Sequence, residues 1–120
     1  MSTMNHVYIS GYVTRDAELR FVSSGTPLCS FSIGVPRSWQ QSGQWKKETS
    51  FIDCKAWGEL AEHAGEQLHK GVGILVQGRS QQERWETEEG NVRSRLVVVA
   101  DHVQVVGQSK ARNSNDDLPF

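Results

Sequence analysis

Residues 50–57, with the sequence SFIDCKAW, carry the side chains whose types and spacing best suit a chemical role. In a β-strand, alternate side chains point to opposite faces. One set here is small or apolar and suits a core, whereas the other presents Phe51, Lys55 and Trp57. Bases of unpaired nucleic acid stack on such rings while cations attract phosphates, and each stacked base contributes about 1–3 kcal/mol. The alternative is that both rings fill a second core or a subunit interface.

The charge balance limits which nucleic acids this chain would bind. The chain has 120 residues, a length that suits one domain, and its 13 Lys and Arg face 14 Asp and Glu. A broad basic surface for duplex DNA is therefore not expected. Binding of single strands conflicts less with this balance, because stacking supplies part of the energy.

The sequence contains no arrangement typical of catalysis or of metal binding. Its two cysteines, Cys29 and Cys54, form no CxxC motif and fall at core-facing strand positions, so neither a zinc site nor a disulfide framework is expected. We find no Ser/His/Asp set, paired carboxylates or phosphate loop, and expect neither an enzyme nor a cofactor. No apolar run resembles a signal or a membrane span, so we expect a soluble protein of the reducing cytoplasm that binds no membrane.

The hydrophobic pattern predicts an all-β domain with one helix. Residues 14–21 are expected to form a solvated turn and residues 36–49 a polar loop. The order βββ-α-ββ is that of the OB-fold, a five-stranded antiparallel Greek-key barrel whose second and third strands, with nearby loops, bind ligand. The predicted strands are 4–13, 28–35, 50–57, 72–77 and 92–106, the helix is 58–70, and the domain 1–106 precedes a disordered tail at 107–120.

Two further segments place aromatic and basic side chains near this face. The loop 36–49 holds Trp39 and Trp45, of which the pattern favours Trp39 for ligand contact. A long hairpin carries Trp85 away from the core, and we expect Trp39 and Trp85 to flank the same side as Phe51. The phosphate contacts expected on this path are Arg20, Arg37, Lys46, Lys47, Lys55, Lys70, Arg79 and Arg84.

Four segments together resemble the bacterial single-stranded DNA-binding proteins, of a short-tailed type: NHVYISGYVTRDAELRFVSSGTPLCSFSIGV, SFIDCKAWGELAE, LHKGVGILVQGR and the final DDLPF. The resemblance covers residues 4–106 and the last five residues. Each segment alone is weak evidence for the family, but the order and spacing of the four segments are specific to it. The hairpin arm that carries Trp85 is less basic than in well-studied relatives, since it contains Gln81 and Glu83. The helix start, which is often basic in relatives, is Glu59 here.

The resemblance implies a set of functional residues. Stacking would use Trp39, Phe51, Trp57 and Trp85, with Phe21, Arg20, Lys70 and Arg84 nearby. Homotetramers, or dimers of paired folds, would form through the first strand at His6, Tyr8, Ser10 and Tyr12. An acidic tip would dock on replication, recombination and repair proteins in the bacterial cytoplasm and nucleoid; it comprises Asp116, Asp117, Leu118, Pro119 and Phe120.

The expected function is therefore sequence-tolerant binding and protection of single-stranded DNA. A primosomal accessory protein of the same fold is the nearest alternative, but such proteins lack the acidic tip. A protein-interaction module, whose rings form a partner interface, is the alternative from another class.

Overall fold

The structure is a computed structural model that describes residues 3–107. Within that range the chain forms strands and a single helix. The strands are β1 (Val7–Val13), β2 (Glu18–Phe21), β3 (Pro27–Gln41), β4 (Gln44–Trp57), β5 (Gly73–Glu86) and β6 (Val92–Val105), and the helix α1 is Glu59–Gln67.

Five strands close into a barrel. The sheet order is β1-β5-β6-β4-β3-β2, and an additional β1–β3 pairing completes the ring while β2 extends the sheet beyond β3. This confirms the predicted OB-fold with one helix. One pairing differs from the all-antiparallel expectation, because β4 and β6 run parallel where Cys54 meets Val98 and Lys55 meets Val99.

The barrel core consists of the inward-facing apolar side chains of these strands. Phe31, Ile33, Cys54 and Ile74 are among its fully buried members. The helix α1 packs against it through Ala61 and Ala64, which are also buried, as is Leu68 directly after the helix. It is shorter than predicted and ends before Gly71, whose positive φ of 92° suits glycine. Among residues 3–107, no helix is long and apolar enough to cross a membrane.

The segment 36–49 was predicted as a loop, and this prediction was wrong. Strands β3 and β4 pair without interruption from Leu28–Trp57 to Gln41–Gln44, so the polar residues form a long β-hairpin. Its turn is Ser42–Gly43, both with positive φ (52° and 80°), as a two-residue type I′ turn requires. The turn predicted at 14–21 was also wrong in part, because its last four residues form β2.

The second hairpin, β5–β6, leaves the barrel at a glycine. The pairing shifts between Gln77 and Gly78, where β6 carries one extra residue, Asp101, and it then continues to Glu86–Val92. A Cβ atom on Gly78 would overlap the backbone oxygen of Val99 on the paired strand. The two strands can therefore approach this closely only because residue 78 has no side chain.

We expect Gly78→Ala to lower the free energy of unfolding by about 1–3 kcal/mol, since the overlap forces backbone movement. Urea unfolding at fixed protein concentration measures this change. The exposed neighbour provides a control, since Gln77→Ala should stay within about 0.5 kcal/mol of the unchanged chain. Equal stability of the two variants would show that the close approach is not required.

Candidate nucleic-acid interface

Two of the rings predicted to stack lie open on the outward side of β4. The pairing with β3 is unbroken, so odd-numbered residues of β4 face away from the core that contains Cys54 and Ala56. Phe51 is 67% exposed and Trp57 is 43% exposed. Neither ring is sealed within the subunit, which leaves both available for stacking.

The β5–β6 hairpin contributes a third ring. Trp85 is 47% exposed and lies directly across from Arg93. Glu83 lies on the same face of this hairpin, two residues before Trp85, and pairs with Arg95. The face therefore combines one aromatic side chain with two arginines and one carboxylate.

An ion-pair network joins the hairpin face to the outward side of β4. Lys55 of β4 donates to Glu83 of β5. Arg95 of β6 donates from Nε to Glu83 Oε1 and from Nη1 to Asp53 Oδ2, each over 3.1 Å. Because two acids oppose two bases, the positive charge of this region is internally compensated.

Glu83 is the centre of the network, and its pKa reflects that position. The hydrogen bond from Lys55 lowers the pKa of the Glu83 carboxyl below its usual value, and the bond from Arg95 adds to this effect, although partial burial opposes it. The carboxylate is therefore ionised at neutral pH and holds both cations in place.

An open cavity lies where β4 and β6 separate. The two strands pair only at Cys54–Val98 and Lys55–Val99, and before these residues they diverge into the two hairpins. The resulting fork encloses a cavity of about 320 Å³. Its lining is mostly apolar: Ile9, Phe51, Ile52, Asp53, Ser80, Leu96, Val97 and Val98. Phe51 therefore borders a concave, mostly apolar space.

Trp39 lies on the other face of the β3–β4 hairpin. By the register, Trp39 points to the same side of β3 as the core-facing Ile33, and Lys46 lies directly across from it. The guanidinium of Arg37 lies 4.4 Å from the ring centroid, which is a cation–π contact. The structure thus groups Arg37, Trp39 and Lys46, but not on the face of Phe51 and Trp57 as expected from the sequence. Lys47 follows the outward side instead.

The other predicted contacts are spread around the barrel. Arg20 of β2 and Trp57 of β4 both pair with Leu28 of β3, which lies between them. Their backbones are therefore about 10 Å apart. Phe21 follows Arg20 and is 61% exposed. Trp57 precedes the start of α1, whereas Lys70 follows its end, so the length of the helix separates them in the chain. The backbone N–H of Lys70 donates to Asp16. Arg84 faces away from Trp85 and donates to Gln82.

One further predicted cation, Arg79, lies at the base of the β5–β6 hairpin. It forms an ion pair with Asp101 over 3.6 Å, and both side chains are largely exposed. Its charge is therefore partly compensated, although water and salt screen such exposed pairs.

The predicted oligomer residues lie on or beside β1. Tyr8 and Ser10 are exposed on this strand, Tyr12 is half-buried with its ring close to Gly34, and His6 precedes it. The strand pairs with β5 along Val7–Tyr12 but with β3 only at Tyr12 and Val13. Within residues 3–107, the other edge of β1 is therefore unpaired before Tyr12.

The buried cysteines are unreactive. Burial raises the pKa of the Cys54 thiol to about 12, with a further contribution from the negative Asp53, and burial also raises the pKa of Cys29. Neither thiol is a nucleophile at neutral pH. Across the described range, no group of three or more His, Cys, Asp or Glu could hold a metal ion.

Comparison with known proteins places this chain in a family. The sequence model described as "Single-strand binding protein family" matches residues 4–106. The chain belongs to that family. It is a family of binding proteins rather than enzymes, in agreement with the sequence-based expectation.

Curated relatives agree with this assignment. A single-stranded DNA-binding protein of Fusobacterium nucleatum is 40% identical over 115 residues, which cover 95% of this chain and 73% of the relative. Those of Treponema pallidum and Aquifex aeolicus are 39% and 35% identical, each over 89% of this chain. The chain spans 60% of the length of the Treponema protein and 73% of the Aquifex protein.

Three residues that share these faces were not among the predicted contacts. Arg93 and Arg95 share the face of Trp85, and Trp45 lies on the outward side of β4. The alternation of the arm could have identified both arginines, because they are separated by one residue. No local signal indicates that Arg95 bonds Asp53, which is 42 residues away.

The network should stabilise the fold in a pH-dependent way. Because the folded-state pKa of Glu83 is lowered, its contribution is complete above the unfolded pKa of about 4.3 and is lost as the pH falls through the folded value. We expect Glu83→Gln to lower the free energy of unfolding by about 1 kcal/mol at pH 7, with a smaller difference at pH 3.

Urea unfolding across this pH range measures the difference. Glu88→Gln, in the exposed turn between β5 and β6, is the matched control because Glu88 has no ion pair within residues 3–107. If both variants behave alike at every pH, the network does not stabilise the fold.

Proposed function

We propose that this chain binds single-stranded DNA without sequence preference. The observation that carries the proposal is that Phe51 and Trp57 lie open on one face of β4, which ion pairs join to the hairpin face that carries Trp85, in a member of the single-strand binding protein family. Every base has a flat π-face, so stacking on such rings tolerates any sequence. The relatives bear the name single-stranded DNA-binding protein, which supports the same ligand.

The DNA strand would pass over the outward side of β4 and along the Trp85 face of the β5–β6 hairpin. Bases would stack on Trp57, Phe51 and Trp85, and the cavity at the fork gives Phe51 room to accept a base beside it. Arg20 near Trp57 and Arg93 opposite Trp85 would meet phosphates. Trp39 lies on the other face of the β3–β4 hairpin, so the DNA would have to cross that hairpin to stack on it.

Stacking should carry much of the affinity, because the cations of the central region are compensated. Lys55 and Arg95 are held by Glu83 and Asp53, so a phosphate must compete with these carboxylates. Each phosphate that is neutralised releases counterions and adds to the salt dependence of binding. A site with internally paired cations should therefore show a weaker salt dependence than its number of basic residues suggests.

Replacing Trp57 or Trp85 by Ala should weaken oligo(dT) binding by about 1–3 kcal/mol each, because each change removes one stacking surface. Affinity is measured by quenching of the remaining tryptophans and checked by fluorescence anisotropy of labelled oligo(dT). Trp57→Phe and Trp85→Phe should retain most of the affinity, since Phe also stacks.

Val92→Ala controls for loss of an exposed apolar side chain, because Val92 is 71% exposed near the hairpin turn. It should bind like the unchanged chain. A folded Trp57→Ala variant with unchanged affinity would remove Trp57 from the site. Absence of any quenching or anisotropy change in the unchanged chain would favour a protein-interaction module instead.

Assembly and cellular role are further parts of the proposal. The unpaired edge of β1 offers main-chain hydrogen-bonding groups to a second copy, which supports a homo-oligomer formed by strand pairing and extending to a tetramer. The protein would protect single strands during replication, recombination and repair in the bacterial cytoplasm and nucleoid.

The acidic tip would recruit replication, recombination and repair proteins. It lies outside the described residues, so the proposal depends on its sequence alone. Asp116 and Asp117 precede Leu118, Pro119 and Phe120, a combination of acidic and apolar groups that suits a basic, apolar pocket on a partner.

Deletion of residues 116–120 should abolish binding to a purified bacterial replication or repair protein and leave oligo(dT) affinity unchanged or higher. Calorimetry with the partner and anisotropy with the oligonucleotide measure the two effects. A length-matched control removes residues 109–113 and should retain partner binding. Loss of oligo(dT) binding in the 116–120 deletion alone would instead place these residues in the DNA site.

A further inference from the structure

We propose that Trp45 is a further stacking residue for single-stranded nucleic acid, so that the aromatic stripe on β4 runs from Trp57 through Phe51 to Trp45. The inference rests on the proposed function and specifies where the bound strand continues beyond Phe51. The ligand class is an unpaired nucleotide segment of any sequence.

The register of the β3–β4 hairpin gives Trp45 the same orientation as the other two rings. Pairing is continuous from Leu28–Trp57 to Gln41–Gln44, with no bulge in either strand. Residues 45, 51 and 57 therefore share one side of β4. Successive rings are six residues, or about 20 Å, apart along the strand. The stripe is thus regular in spacing as well as in orientation.

Trp45 is also the most exposed aromatic side chain in residues 3–107, at 70%. It has no hydrogen-bond or ring partner within that range. The hairpin is two-stranded here and nearly all of its residues are exposed, so no second layer covers the indole. A large ring held open in this way has no packing role in the subunit.

The charges around Trp45 suit a polyanion. Lys47 lies two residues away on the same side, and Ser38 and Gln40 lie across from Lys47 and Trp45. None of these neighbours is acidic, and Lys47 forms no ion pair within residues 3–107. This differs from the centre of the site, where Glu83 and Asp53 compensate Lys55 and Arg95.

Trp39 does not offer the same continuation. It lies on the opposite side of the hairpin, and the Arg37 guanidinium covers part of its ring. A nucleic-acid strand that continues from Phe51 along the outward side of β4 would therefore meet Trp45 before it could reach Trp39.

A chain in which Trp45 is the sole tryptophan tests stacking directly. Trp39, Trp57 and Trp85 are replaced by Phe, which keeps a stacking ring at each position. Titration with oligo(dT) should quench the Trp45 fluorescence in step with the anisotropy change of labelled oligo(dT). Binding without quenching would overturn the inference.

The second measurement compares Trp45→Ala with Trp45→Phe in the otherwise unchanged chain. The Ala variant should bind oligo(dT) about 5- to 150-fold more weakly, while the Phe variant stays close to the unchanged chain. Gln40→Ala, across the hairpin from Trp45, is the control and should bind normally. Thermal midpoints and light scattering verify that the fold and the assembly are intact.

Equal affinity of Trp45→Ala and the unchanged chain would overturn this inference but leave the proposed function intact. Equal losses in the Ala and Phe variants, or a changed molecular mass in Trp45→Ala, would also overturn it, the latter by assigning Trp45 to a subunit contact. Failure of the unchanged chain to bind oligo(dT) would instead overturn the proposed function itself.

Discussion

The register of β4 is the constraint on which both the barrel and the candidate interface depend. Its inward residues Cys54 and Ala56 are fully buried in the core, while Phe51 and Trp57 lie open on its other side. A slip of one residue would exchange the two faces and bury the rings in place of the core residues. Pairing with β3 over fourteen residue pairs, and with β6 at Cys54–Val98, prevents such a slip. The energy that closes the barrel therefore also orients the rings.

The ion-pair network adds a second connection between the core and the interface. Lys55 lies on a barrel strand, whereas Glu83 and Arg95 lie on the projecting hairpin. Without the acids, the two cations would repel each other near the base of the hairpin. The carboxylates therefore fix the hairpin against β4 and would also reduce the attraction for the phosphates of the proposed ligand. This compensation agrees with a chain in which acids and bases are nearly equal in number.

Alternation of apolar residues was sufficient to predict the barrel, the helix and the outward position of Phe51 and Trp57. It failed for residues 36–49, because a two-stranded hairpin without a covering layer buries neither face and so shows no hydrophobic period. Only the Ser42–Gly43 pair marks the turn there, as Ser-Gly pairs often do. The network around Glu83 was also beyond prediction, since it depends on the β5–β6 register beyond the bulge at Asp101 and on contacts across 28 and 42 residues.

The same lack of a covering layer explains why the candidate interface is accessible. The parallel pairing of β4 and β6 is only two residue pairs long, so the two hairpins separate as soon as they leave the barrel. Each hairpin then continues as a ribbon with both faces in solvent, and the space between their bases is the cavity beside Phe51. Rings carried on such ribbons cannot fold into a core, because no core extends that far. A short closing contact between β4 and β6 thus makes the aromatic side chains available to a flat ligand.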